Sequence, residues 1–246
     1  MKKEIRLERL LANLGYGNRK GAGHMIRKGI VTLDGVPITD PSSRVLLANA
    51  DKILLEGQEL DPLPPLSIVM NKPIGFVCSH NDPGGGRDVF ELLPPRFRER
   101  KPTLAIAGRL DMDSSGLLLL TDDGKLLHRI TSPKTHLPKC YKACLDRPLT
   151  GDEAALFASG TLMLRSETTP LKPAELTVIN EKLVLVTLRE GRYHQVRRMF
   201  AATGNHVVSL QRLSIGDLHL GDLREGEWRV LPDPWRSAGI MSAETL

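Results

Sequence analysis

Aromatic residues and cysteines are what this 246-residue chain has least of, with five Phe, two Trp, three Tyr and three Cys. Cys78, Cys140 and Cys144 are too few and wrongly spaced for a zinc cluster or a disulfide framework, and are expected as reduced, small apolar residues. Aromatics this sparse argue against reading a single strand through many stacking platforms. Long apolar runs are missing too: Leu117 to Leu120 falls far short of a membrane span. The opening Met1-Lys2-Lys3-Glu4-Ile5-Arg6 leads into no apolar stretch, so no signal peptide is expected. A soluble, cytoplasmic protein away from the membrane is the expectation. Neither a dinucleotide nor a phosphate-loop glycine motif occurs, so no cofactor is expected.

What is present leans basic. Lys and Arg number 34 against 29 Asp and Glu, a net charge of +5. That excess favours a polyanionic partner, because basic side chains displace counterions from phosphates. Hydrophobic content of 41% is enough for a packed core.

Residues 1–60 read as a separate module. Leu7, Leu10, Leu11 and Leu14 follow helical spacing and are stopped by Gly15 and Gly17. Asn18 can cap a second helix, Arg19 to Lys28, ending at Gly29. Short strands follow at Ile30 to Leu33, Val36 to Ile38 and Lys52 to Leu55. Arg19, Lys20, Arg27 and Lys28 share one side of the second helix, where they suit a phosphate-binding surface. The proline-rich segment 61–66 reads as a stiff linker.

Residues 67–232 are strand-rich, with strands expected at Leu66 to Met70, Leu104 to Ala107, Leu117 to Leu120, Cys140 to Leu145, Ala174 to Ile179, Leu183 to Leu188 and Val207 to Leu210. Helices are expected at Gly151 to Ala158 and His194 to Thr203. Many strands with few helices predict an α+β domain on a mainly antiparallel sheet. Residues 233–246 read as a flexible tail.

Three segments carry chemistry. Gly108-Arg109-Leu110-Asp111-Met112-Asp113-Ser114-Ser115-Gly116 crowds acids and hydroxyls between apolar strands, a setting that suits a nucleophile or general base. On the residues alone Asp111, Asp113, Asp122 and Asp123 are equal candidates. Asp111-x-Asp113 also loosely resembles the Asp-x-Asp nucleophile of haloacid-dehalogenase phosphatases, although that motif should open a parallel α/β domain. In Lys139-Cys140-Tyr141-Lys142, a strand would turn Lys139 and Tyr141 to one face, where a tyrosine can stack on a nucleobase. In the third, Arg189 to Phe200, Val196, Met199 and Phe200 mark a buried helix face. Arg197 and Arg198 stand at that helix's N-terminal end, where the dipole disfavours cations, so an anionic partner is needed. From 189 to 212 there are five arginines against one acid, Glu190.

At these three segments the chain resembles the bacterial ribosomal RNA pseudouridine synthases of the RsuA type, the small-subunit branch. The Gly-Arg-Leu-Asp signature, the Lys-x-Tyr and the Gly-Arg-Tyr-His-Gln-Val-Arg-Arg-Met-Phe stretch stand in the expected order. Residues 1–60 resemble the S4 RNA-binding domain common in that family. The resemblance implies that Asp111 is the catalytic nucleophile, that Tyr141 packs against the target uracil, and that Arg197 (or its neighbour Arg198) pairs with the nucleophile. Arg19, Lys20, Arg27, Lys28, Arg109, Arg192, His194, Gln195 and Arg198 are the implied RNA contacts, and no metal is implied. The implied substrate is a uridine of 16S rRNA, free or in an assembling small subunit, acted on by a monomer. The run from Asp122 to Pro133 resembles the small-subunit enzymes more than their 23S-specific relatives.

The implied reaction breaks the bond from ribose C1′ to uracil N1, turns the base and rejoins it through C5. No electrons are consumed, but a positioned carboxylate is needed. A carboxylate drawn out of water is driven toward its neutral form, and a paired guanidinium opposes that. The competing readings are a 23S enzyme, a non-catalytic S4-type RNA-binding or assembly protein, and a magnesium-dependent phosphatase.

Overall fold

The computed structural model describes residues 3–80 and 84–232. The expected tail, 233–246, lies outside the described residues.

Two compact units divide the chain, one made of Met1–Leu66 and Phe90–Ala105, the other of Ser67–Val89 and Ile106–Leu246. The first begins with β1 (Glu4–Arg6), α1 (Leu7–Asn13) and α2 (Arg19–Arg27). The helices form where the leucine spacing and the Asn18 cap direct: Asn18 Oδ1 accepts from Gly21 N at 2.9 Å. Short strands follow, β2 (Val31–Leu33), β3 (Val36–Pro37), β4 (Arg44–Leu46), β5 (Ile53–Leu55) and β6 (Gln58–Glu59). Leu7, Leu10, Leu11, Leu14, Ile26 and Ile53 bury together as its core. Arg19, Lys20, Arg27 and Lys28 are all exposed.

The sequence predicts a linker at 61–66 and places 90–105 in the second domain, yet both segments belong to this first unit. Their arginines explain it. Arg96 clamps Asp61 with its Nε and, at 2.9 Å, its Nη2, while Arg100, almost wholly buried, donates to Pro62 O at 2.6 Å. Gly15 is required beside Arg96. At φ +89° a Cβ there would lie 2.0 Å from Arg96 O.

The second unit holds β7 (Ser67–Lys72), the second residue of the short β8 (Ala105–Ile106), β9 (Ser114–Thr121), α3 (Gly124–Thr131), β10 (Lys139–Leu145), α4 (Glu153–Ala158), β11 (Glu175–Asn180), β12 (Leu183–Leu188), α5 (Gln195–Ala202), β13 (Val207–Ile215), β14 (Leu218–His219) and β15 (Trp228–Val230). Its main sheet runs β11-β12-β10-β13-β9-β7-β15 and is antiparallel except where β13 meets β9 in parallel. The expected α+β architecture therefore stands, and a parallel doubly wound domain does not form. Helix α5 buries Val196, Met199 and Phe200 as its spacing requires, with Phe200 edge-on to Phe157 at 5.2 Å. β13 runs on past its expected end at Leu210 to reach Ile215.

Helix α3 has no counterpart among the elements expected from the sequence. Asp123, one of the candidate acids, is its N-cap: Oδ1 accepts from Lys125 N at 2.8 Å and Leu126 N at 3.2 Å. Its carboxylate is occupied in satisfying donors that the first turn leaves unpaired.

Candidate active site

Asp111 stands on the loop that enters β9, and two buried cations hold that loop from the strands flanking β9. Lys72 ends β7, fully buried, and its Nζ donates to Ser114 O at 2.7 Å, Asp111 O at 3.0 Å and Pro73 O at 3.0 Å. Arg212, 1% exposed in β13, donates from Nε to Leu117 O at 2.8 Å and from Nη2 to Gly108 O at 2.9 Å. Both side chains grow from positions opposite Gly116 in the sheet register. Gly116 takes φ +105°, and a Cβ there would lie 2.3 Å from Arg212 O, so the close approach of β13 to β9 needs glycine. Carbonyl groups beneath the loop thus receive charged donors, in addition to the Ser114 N that Asp111 O accepts from at 3.1 Å.

Burial presses the Lys72 ammonium toward its neutral form, opposed by Cys78, Asp113 and Asp111. It also pushes the Cys78 thiol up, although Leu110 N donates to Cys78 Sγ at 3.4 Å. Lys139 on β10 is likewise held below the usual lysine value by burial and then by Arg212.

The carboxylate of Asp111 faces a cavity of about 460 Å³ whose wall includes Tyr141, Leu188, Val196 and Leu210. Tyr141 is half-buried, resting on the apolar core, and Arg109 is exposed at the same cavity. A planar ring fits between such walls with a carboxylate beside it. Exposed Arg189 and Lys172 add positive charge around the opening.

The expected ion pair between Arg197 and Asp111 is corrected by the structure. His194 Nε2 lies 3.3 Å from Asp111 Oδ1. Arg197 reaches Asp113 instead, with Nη2 2.9 Å from Oδ2 and 3.1 Å from the backbone O, while Nη1 donates to Val207 O at 2.8 Å. The reason is local. His194 takes a left-handed conformation, φ +48°, at the start of α5, with its ring beside the Asp111 carboxylate, while Arg197 lies three residues further along the helix.

Arg198 does not reach Asp111 either. It and Arg192 grip opposite oxygens of Glu167, at 2.8 and 3.0 Å, and hydrogen bonds from Arg198 and then Arg192 hold that carboxyl below its ordinary range. Arg192 also donates to Thr169 O and Pro170 O, and Gln195, buried, joins Arg192 N to Glu190. Three of the implied RNA contacts, Arg192, Gln195 and Arg198, are therefore spent on bracing the turn from Glu190 to His194.

Sequence reasoning missed Lys72, Glu167 and the structural part of Arg212. Arg212 was legible in principle: it shares its strand face with buried Leu210 and Ser214, an inward position that an arginine takes only with partners. Lys72 ends an otherwise apolar strand, a weaker signal. Nothing around Glu167 marks it out.

Comparison with known proteins agrees with this geometry. The family model for RNA pseudouridylate synthase matches residues 67–202, and that for the S4 domain matches residues 5–49. The chain is 41% identical over 232 residues to a Pasteurella multocida protein named ribosomal small subunit pseudouridine synthase A, covering 92% of this chain and 96% of that one. It is also 41% identical over 231 residues to the Escherichia coli protein of the same name, covering 93% and 97%. A solved structure described as a crystal structure of pseudouridylate synthase is 38% identical, with a TM-score of 0.65 over 93% of this chain and 96% of that chain.

Proposed function

Because the chain belongs to the RNA pseudouridylate synthase family, we propose that it isomerises one uridine of 16S ribosomal RNA to pseudouridine, with Asp111 as the nucleophile. The observation that carries this reading is the Asp111 carboxylate at a cavity of about 460 Å³, roomy enough for a turned-out nucleotide, on a loop held by Lys72 and Arg212. The small-subunit substrate rests on the names of the relatives, at 41% identity over nearly the whole chain.

A uridine inside a helix cannot reach the carboxylate, so the base leaves its stack and enters the cavity beside Tyr141. Asp111 attacks C1′ as the bond from C1′ to N1 opens. The freed ring turns, C5 bonds to C1′ as the Asp111–C1′ bond breaks and returns the carboxylate, C5 gives up its proton, and N1 ends protonated. Atoms and electrons balance within the nucleotide. Pre-organisation is the protein's main contribution, since Lys72 and Arg212 leave the nucleophile loop little freedom. His194 keeps the carboxylate aimed, and Arg197 ties Asp113 to α5.

RNA contacts divide between the exposed Arg19, Lys20, Arg27 and Lys28 face of the S4 domain and Arg109 at the cavity. A protein that only bound RNA would need no carboxylate held at a cavity of this size. The phosphatase alternative loses its support, since Asp113 is engaged by Arg197 and the sheet is mainly antiparallel.

The test is Asp111→Asn with pseudouridine mapped in ribosomal RNA. The variant should bind small-subunit RNA almost as wild type does and form no pseudouridine. A deletion strain should lack one pseudouridine in 16S RNA. Wild-type rates in Asp111→Asn would overturn the nucleophile, and loss of a site from 23S RNA would overturn the substrate.

A further inference from the structure

Tyr193 is 74% exposed, in a chain with few aromatic side chains to present. Tyr16 and Tyr141 are both partly buried, so Tyr193 is the tyrosine left facing solvent. Its ring lies flat on His194, centroids 3.8 Å apart and planes 17° from parallel. His194 in turn stands 3.3 Å from the Asp111 carboxylate, and both rings line the cavity. One ring face is thus covered by the imidazole and the other is open.

We propose that this open face takes a nucleobase of the substrate RNA, the neighbour of the uridine that turns into the cavity. The proposal rests on the functional reading above and names a contact within it. Turning a base out of a helix leaves its neighbour without a stacking partner. An aromatic face at the cavity mouth replaces that partner for any base, because every base has a π-face. The result is a three-ring column of base, Tyr193 and His194, ending at the nucleophile. Such a column sets how far the RNA strand advances toward Asp111, which phosphate contacts at the rim do not.

The ring is presented in a fixed place. Tyr193 O accepts from Arg198 Nη1 at 3.2 Å, and His194 O accepts from Arg198 N at 2.9 Å. Arg192 N donates to Gln195 Oε1 at 2.9 Å, closing the turn on its other side. Pre-organised this way, the ring loses little conformational freedom on stacking. The brace formed by Arg192, Glu167 and Arg198 thereby acquires a purpose in holding an aromatic outward.

The test compares Tyr193→Ala and Tyr193→Phe with wild type for binding to a 16S rRNA transcript across a salt series. Loss of one stacked base should weaken binding by Tyr193→Ala roughly 5- to 150-fold. Tyr193→Phe should stay within about twofold, since it keeps the ring. The slope of affinity against salt should be the same for all three, because stacking releases no counterions. Full-strength binding by Tyr193→Ala would overturn the proposal. So would a Tyr193→Phe defect as large as that of alanine, or a shallower salt slope. Binding is read without catalysis, so a wild-type protein that binds but forms no pseudouridine rejects the functional reading alone.

Discussion

Arg197 Nη2 lies 2.9 Å from Asp113 Oδ2, and this pairing leaves the neighbouring acid, Asp111, to His194. The two acids, two residues apart on one loop, have different partners and different duties. Asp113 ties the loop to α5 while Asp111 keeps its carboxylate at the cavity. The arginine is mostly buried and the Asp113 side chain is 58% exposed, so the ion pair itself contributes little.

That asymmetry makes a prediction. Asp113→Asn should leave the single-turnover rate of pseudouridine formation within about threefold, as expected for an exposed pair worth less than about 1 kcal/mol. Arg197→Met removes charged donors from Val207 O and Asp113 O, at roughly 1.5–3 kcal/mol each, and should lower both stability and rate. Abolition of activity by Asp113→Asn would show instead that this second acid takes part in the chemistry.

Lys72→Met should be severe despite similar side-chain size. Three carbonyls would lose a charged donor, each such bond contributing roughly 1.5–3 kcal/mol, and Asp111 O would keep only Ser114 N at 3.1 Å. The expected outcome is a lower urea midpoint with a fall in kcat larger than any change in KM, because the displaced atoms belong to the nucleophile loop. An unchanged urea midpoint would mean that those carbonyls find other donors.

Gly116→Ala tests the close approach of β13 to β9. Left-handed strain of about 1–2 kcal/mol adds to a collision with Arg212 backbone, so little folded protein should be recovered. Gly17→Ala is the control. Its φ is also positive, +102°, but nothing stands within 4 Å, and it should cost only the strain. Equal thermal midpoints for the two variants would reject the packing argument.

Acid should loosen the brace behind Tyr193. Glu167 is held below its ordinary range by Arg198 and Arg192, so it binds fewer protons folded than unfolded. Its contribution is complete above the unfolded value, near pH ~4.3, and is lost as pH falls through the lower folded value. Glu167→Gln should therefore show a flatter loss of stability in acid than wild type, with lower stability at neutral pH. Superimposable acid limbs in thermal melts would discount the brace.

Replacing Arg19, Lys20, Arg27 and Lys28 with glutamine should weaken binding to 16S RNA. The slope of log affinity against log salt should flatten by roughly 0.7–0.9 for each phosphate no longer neutralised. A wild-type slope in that variant would remove the S4 face from the interface.

Local sequence accounts for much of this protein. The leucines of α1, the Asn18 cap, the alternation of Val184, Val186 and Leu188 and the buried stripe of α5 each reflect interactions within a few residues, and each was legible. On the residues alone Asp111 was one of four equal acids and Tyr141 one face of a strand, and the resemblance carried by the ordered motifs singled out both. Helix α3 was missed because Asp122-Asp123-Gly124 reads equally as a loop, and only the cap bonds decide between them. The partners of the arginines lay beyond the sequence altogether. Arg197 finds Val207 O and Asp113, Arg198 finds Glu167, and Lys72 meets Ser114 O across a sheet. A long cationic side chain carries no local preference for one distant acceptor over another, so its partner is set by how strands and turns come together. The proposed nucleophile is thus marked by short motifs and their order along the chain. What holds it in place depends on strands brought together from far apart in that chain.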